Sequence, residues 1–332
     1  MIGLDKVRNN QFFLKDYLSR DINLTVLVFF AIATVLVLQI MLHPMIFSGN
    51  NLTSMSYQIP EFGFLALAMM LAMLTGGIDL SIVSNANLSG IIGGLILTGA
   101  LFGGLSGLSP SLHIFIAIFS ILILSTLLGL FNGFLIAKMS VPPIIATLGT
   151  MIFYAGIGMA ITGGSGIVGF PDAFLALGVE KFLGIPYIFI LFIIATIVIS
   201  YILSKTAFGK KVYLYGENKV ATRFSAINNE RLILKVYALS GLLAGIASII
   251  MISRVNSAKV GYGDTFLLQS LLVVVLGGVN PYGGRGKVIG VVLAIFILQI
   301  LQSAFTLWQF TPYAKNLLWG SMLVIVMAVN FF

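Results

Sequence analysis

Phe64-Leu-Ala-Leu-Ala-Met-Met-Leu-Ala-Met-Leu-Thr-Gly-Gly-Ile-Asp-Leu-Ser81 is the stretch that decides how this chain folds. An unbroken apolar run stops at Gly76-Gly77, and a carboxylate, Asp79, follows two residues later. The rest of the chain reads the same way. Of 332 residues 59% are apolar and 8% charged, against about 25% charged in soluble domains. A bilayer-spanning helix uses roughly 20 apolar residues, so there is material for about eight to ten spans and little for a soluble core. A soluble enzyme, a disordered chain and a nucleic-acid binder are excluded as main readings. The net charge of +8 then reads as an excess of Lys and Arg on the cytoplasmic side.

The fold class expected is all-α: a polytopic transmembrane helical bundle of about 10 spans with both termini cytoplasmic. Spans are predicted at about 22–42, 60–76, 82–102, 112–137, 142–162, 184–204, 235–253, 264–279, 287–307 and 312–332. Residues 1–21 read as a cytoplasmic N-terminal tail, 22–332 as a single transmembrane domain, and 205–235 as its large cytoplasmic loop. With the N-terminus inside, 14 of the 18 basic residues fall inside and 4 outside (Lys181, Arg254, Lys259 and Lys315), as positive-inside bias requires. The second span ends in Gly76-Gly77 and the eighth in Gly277-Gly278. Such breaks are tolerated in a membrane only where protein covers the backbone or a wet cavity meets it.

Cysteine is absent, which removes disulfide, thiolate and Cys-metal chemistry. His43 and His113 stand apart, each beside an apolar run. The charged stretch Met1–Asp21 precedes a run of full spanning length without a small-residue cleavage site, so it reads as a tail and anchor rather than a signal peptide. Many of the 36 glycines recur four residues apart: Gly90/Gly94, Gly99/Gly103, Gly129/Gly133, Gly241/Gly245 and Gly286/Gly290. They suit close helix packing in lipid, or sliding surfaces in a bundle that rocks. Leu74-Thr-Gly-Gly-Ile-Asp79 echoes Val275-Leu-Gly-Gly-Val-Asn280, a hint of internal duplication.

The longest polar stretch, Lys205–Lys235, holds seven basic residues. Its middle, Glu217–Asn228, predicts a short amphipathic helix with Val220, Phe224 and Ile227 on one ridge and Lys219 and Arg223 facing elsewhere. It could rest on anionic headgroups or dock a cytoplasmic partner.

Three sets of motifs carry a family resemblance: Thr206-Ala-Phe-Gly-Lys-Lys-Val-Tyr213 with Tyr215-Gly-Glu-Asn-Lys-Val-Ala-Thr-Arg-Phe-Ser-Ala-Ile227 and Tyr237-Ala-Leu-Ser-Gly-Leu-Leu-Ala244; Thr75-Gly-Gly-Ile-Asp-Leu-Ser81; and Val275-Leu-Gly-Gly-Val-Asn-Pro-Tyr-Gly-Gly-Arg-Gly286. From about residue 60 to the C-terminus the chain resembles the ribose-type ABC importer permeases. The resemblance implies a multi-pass protein of the bacterial plasma (inner) membrane that moves ribose, galactose, xylose, furanosyl autoinducer-2 or a similar small polar solute. It implies a second permease copy or a paralogous permease, a pair of cytoplasmic ATPases and an extracytoplasmic solute-binding protein. ATP and Mg would be bound by the ATPase, with no cofactor in this chain and no catalysis by it. The ATPase-docking residues would be Glu217, Val220, Ala221, Arg223, Phe224 and Ile227. Two departures stand out: Ile82-Val83-Ser84 replaces the usual Val-Gly-Ser, and Ala226 replaces a usual glycine.

The residues themselves suggest a path. A carboxylate at the bilayer centre costs about 2.5–3.5 kcal/mol, and the break is expected to compensate it, with Asp79 or Ser81 capping the helix that begins near Ile82. Direct handling of a solute or proton by Asp79 is the other reading. Asn85 and Ser89 share one face of that helix, Ser84 and Asn87 another, and Asn132 and Gln269 sit inside apolar spans. Asp79, Ser81, Asn85, Asn87, Asn132 and Gln269 are the candidate pathway residues; interhelical hydrogen bonding is the alternative. Neutral amides and hydroxyls suit a hydroxylated solute. Tyr282-Gly-Gly-Arg-Gly-Lys287 lacks phosphate-loop spacing. A secondary transporter driven by an ion gradient would typically want an embedded acid with a charged partner, and only Asp79 offers itself. An intramembrane enzyme finds no constellation of His, Asp and Glu.

Overall fold

The computed structural model describes residues 22–100 and 110–331. The predicted tail, 1–21, lies outside the described residues. Thirteen helices are described: α1 (Ile22–Leu42), α2 (Gly49–Leu74), α3 (Ile82–Leu97), α4 (Pro110–Ala137), α5 (Pro143–Thr162), α6 (Asp172–Val179), α7 (Tyr187–Lys205), α8 (Ala207–Glu217), α9 (Lys219–Phe224), α10 (Asn229–Val255), α11 (Asp264–Leu276), α12 (Val288–Leu307) and α13 (Pro312–Phe331). The expectation of helix alone is corrected in one detail. Two antiparallel pairs of two-residue strands occur, β1 (Ile167–Val168) with β4 (Ser257–Ala258), and β2 (Lys181–Phe182) with β3 (Ile185–Pro186).

Seven described helices are long and apolar enough to cross a membrane, and α3 and α11 are shorter apolar helices. Helix α2 begins earlier than the predicted span, because Ser48 caps it by accepting a hydrogen bond from the Asn51 amide and the helix continues through Pro60. It is the central post: from Phe62 to Leu74 every residue is buried. Around it α1, α4 and α7 turn large apolar side chains outward, with Phe29 70%, Phe115 64% and Ile197 62% exposed. Water would penalise that surface by roughly 25 cal/mol per Å2; lipid does not.

Helix α10 crosses α4 at backbone contact. A Cβ on Gly241 would meet the Ser125 carbonyl oxygen and lie 3.1 Å from Gly129 Cα. One on Gly133 would lie 3.1 Å from Leu234 Cα. The expected close packing at Gly129/Gly133 and Gly241/Gly245 is therefore present.

Both helix breaks end in the same motif. Gly76 (φ 73°) and Gly278 (φ 81°) are left-handed. Their amides, and those of Gly77 and Val279, return to the last turns of α2 and α11, satisfying orphan carbonyls as in a Schellman ending. Asp79 and Asn280 then each accept an amide two residues on, from Ser81 (3.0 Å) and Tyr282 (2.9 Å). The sequence echo thus has a counterpart in geometry.

Candidate functional site

The three motif sets converge at one end of the bundle. The Gly284 amide donates to the Leu74 carbonyl oxygen at 3.0 Å. A Cβ on Gly216 would clash with that same oxygen and with the Gly284 amide nitrogen, and one on Gly283 would lie 2.7 Å from the Gly76 nitrogen. Glycine is needed here because three backbones touch. Arg285 pairs with Glu217 across this node at 3.3 Å, with both side chains largely exposed, and Tyr213 donates to the Gly286 carbonyl at 2.9 Å.

The expected helix 217–228 is corrected in length and start. Asn218 breaks the chain and caps α9, its Oδ1 accepting from the Val220 and Ala221 amides at 2.9 Å each. Glu217 instead ends the preceding helix α8, which lies within the stretch 205–235 expected as a loop. Helix α9 stops at Phe224, and the chain turns through Ala226 at φ 56°. The predicted ridge is split: Val220 (65% exposed) and Phe224 (88%) face outward, whereas Ile227 packs against the core. Lys219 and Arg223 do not face elsewhere; with Val220 and Phe224 they line one groove of about 1040 Å3, whose far wall includes Ile136, Pro142 and Pro143. Tyr215 in the same groove has its hydroxyl pKa raised by burial, and the Lys219 ammonium lies 5.5 Å from its ring centre.

Behind the node lies a polar cluster. Asp79 is 2% exposed. Its Oδ1 accepts from the Ser81 amide (3.0 Å) and hydroxyl (2.7 Å), and its Oδ2 accepts from Ser240 at 3.4 Å. Asn132 donates to the Ser81 Oγ at 2.6 Å. Asn85 donates to the Ser125 carbonyl at 3.0 Å. The capping expectation is corrected: Ser81 makes no side-chain cap bond to α3, and Asp79 reaches only the amide just ahead of that helix. Asn87 is buried on α3 without a side-chain hydrogen bond among the described residues.

Gln269 does not join this cluster. It belongs to a second polar group between α2, α11 and α12, donating to Gln302 Oε1 at 3.1 Å. In the same group Gln299 donates to Gln58 Oε1 (3.1 Å) and Ser303 to Asn51 Oδ1 (2.7 Å). Gln58, Gln299, Gln302 and Ser303 are not among the pathway residues expected from the sequence. The signal that finds them is the i, i+3, i+4 spacing of Gln299, Gln302 and Ser303 on an apolar helix.

A further correction concerns embedded acids. Asp79 is not alone: Glu61, on α2, pairs with Arg254 at 2.6 Å, the side chains 12% and 24% exposed. Arg254 also donates to the Tyr57 carbonyl at 3.0 Å, and the Tyr57 hydroxyl donates to the Val179 carbonyl. The 197 positions between Tyr57 and Arg254 hid the pairing.

Residues 51–327 match the model of the family described as branched-chain amino acid transport system / permease component. The autoinducer 2 import system permease protein LsrD of Enterobacter sp. (strain 638) is 33% identical over 301 residues, covering 88% of this chain and 89% of that protein. The ribose import permease protein RbsC of Haemophilus influenzae is 34% identical over 305 residues, covering 91% and 90%. LsrD of Escherichia coli (strain K12) is 32% identical over 306 residues, covering 89% of each. No solved structure matches. The apolar helices and these relatives make this a multi-pass protein of the bacterial inner membrane. It belongs to the family of branched-chain amino acid transport system permease components.

Proposed function

We propose that this chain is the membrane-spanning permease subunit of an ATP-driven importer for a small sugar or sugar-like solute. It crosses the membrane about ten times, with both termini and the node of Gly76, Gly216 and Gly283 on the cytoplasmic side. A cytoplasmic ATPase seats its cleft on α9, a binding protein delivers solute from outside, and a second permease completes the pathway. ATP and Mg belong to the ATPase. The relatives named for ribose and autoinducer 2 support this solute class over the amino acid of the family description.

The observation that carries the reading is α9. A Phe that is 88% exposed, beside Val220 and flanked by Lys219 and Arg223, is an apolar anchor left largely uncovered by the described residues. Burying such a side chain contributes about 1.5–3 kcal/mol. Its helix is joined through Gly216 to the backbone of α2, and thence to the Asp79 break. A push on α9 therefore reaches the membrane core through contacts that cannot slide independently. Phe224→Asp should abolish co-purification of the ATPase while membrane insertion stays normal. Undiminished co-purification would refute this docking site.

The Glu61–Arg254 pair favours a second reading, an ion-gradient transporter, since it is an embedded acid with a basic partner. Uptake into vesicles separates the two. The importer needs ATP on the ATPase side and survives an ionophore; the gradient-driven transporter does the reverse.

A further inference from the structure

The polar group between α2, α11 and α12 is not explained by docking or by the break. It is uncharged: Asn51, Gln58, Gln269, Gln299, Gln302 and Ser303. Asn51 and Gln58 are seven residues apart on one helix, so the group extends for roughly 10 Å along α2. It begins at the N-terminal end of α2, opposite the glycine node. It stops where α2 becomes wholly apolar, from Phe62 to Leu74.

Helix-to-helix adhesion leaves part of its hydrogen-bonding capacity unused. Each glutamine pair is joined by one bond, and two acceptors stay unused. Gln269 Oε1 and Gln299 Oε1 are buried without a donor among the described residues, on residues 3% and 0% exposed. A buried acceptor without a donor costs about 1–3 kcal/mol, and apolar side chains of similar volume would hold these helices without that cost. Hydrogen bonds kept solely for adhesion in membranes average only about 0.6 kcal/mol. The unused oxygens are free to accept from hydroxyl donors, and the bonded amides can exchange a partner glutamine for a ligand hydroxyl.

We infer that this amide group is a solute-binding stretch of the transport path, open from the side opposite the ATPase when α11 and α12 part from α2, and that it takes a polyhydroxylated, uncharged solute. The inference rests on the importer reading and names the residues that would meet the solute. The amides supply acceptors and donors in equal number, which suits hydroxyls that are both. The dry stretch Phe62–Leu74 is then the floor that keeps this compartment separate from the Asp79 cluster.

The chain has no cysteine, so single-cysteine variants give a clean test. Gln269→Cys and Gln299→Cys are expressed with the ATPase and binding protein, and right-side-out membrane vesicles, loaded with or without ATP, are treated from outside with a charged, membrane-impermeant maleimide. Leu298→Cys, in the apolar core beside them, sets the rate for a dry position. Both glutamine positions should react about tenfold or more faster than that control in one nucleotide state. Millimolar pentose, hexose or polyol, drawn from a panel, should slow the reaction. Reaction at the control rate in every state would overturn the inference and leave interhelical adhesion. Fast reaction that no member of the panel slows would overturn the solute assignment. Co-purification of the ATPase in the same membranes reports separately on the importer reading.

Discussion

At the residue scale, two side chains have environments that make sharp demands. Ala226 sits at φ 56°, where a Cβ approaches its own carbonyl and costs roughly 1–2 kcal/mol. This is the position where glycine is usual in the resembling family, and the turn geometry gives the physical reason. Ala226→Gly should relieve the strain, less the entropy that glycine adds to the unfolded chain, for a net gain of about 0.5–1 kcal/mol. Thermal unfolding in detergent would show it as a raised Tm; a fall would mean that the turn is not strained. Glu61 and Arg254 make the second demand. Removing one partner of a largely buried pair costs about 3–5 kcal/mol because the other charge is stranded. Glu61→Gln should therefore lower stability by about that much, and adding Arg254→Met should restore most of it, measured by the same melt. Equal losses in the single and double variants would show that the pair contributes nothing through its charges.

At the element scale, the sequence revealed the helices better than their joints. Apolar runs of spanning length are insensitive to partners, so most predicted spans agree with the helices within a few residues. Where the ends moved, a local signal had been missed: Ser48 as a cap, Asn218 as a break that splits one expected helix into α8 and α9. Asp79, Ser81, Asn85 and Asn132 were legible as polar residues in apolar surroundings, and three of them do meet. Gln299 was not legible, because only the packing of α12 on α2 gives it meaning. The node of three glycine motifs was legible as motifs but not as one object, since nothing in a sequence says that residues 76, 216 and 283 touch. That node yields a prediction. Gly216→Ala puts a methyl group where the Leu74 carbonyl and Gly284 amide already stand, and overpacking of this kind costs typically about 1–3 kcal/mol. The α8–α9 unit must then tilt away from α2. ATPase co-purification should survive, because Phe224 is untouched, while stimulation of ATP hydrolysis by the solute-loaded binding protein should be lost. Retained stimulation would place the mechanical link elsewhere.

At the scale of the whole molecule, the two ends of the bundle differ in charge and in what ties them together. Segments that the charge pattern assigns to one side of the membrane do share one end of the bundle. Thr75–Ser81, Gly216 with Glu217, and Gly283–Arg285 are held together by backbone contact and an ion pair. At the other end Tyr57, Val179 and Arg254 are tied to each other, and Phe170 accepts support from Asn256 through its own amide, which donates to Asn256 Oδ1 at 2.9 Å. A helical bundle in which distant segments pair in this way cannot have the two ends mixed; it can only be inverted as a whole. Positive-inside bias then favours one of the two orientations, because 10 of the 14 basic residues among the described residues group with the first end. Two exposed side chains report the choice without disturbing packing: Ser225 beside α9, and Leu183, 88% exposed at the turn between β2 and β3. In intact cells an impermeant maleimide should label Leu183→Cys and spare Ser225→Cys, and in inside-out vesicles the pattern should reverse. If Ser225→Cys is labelled from outside intact cells, α9 faces away from the nucleotide pool and no cytoplasmic ATPase can drive this chain.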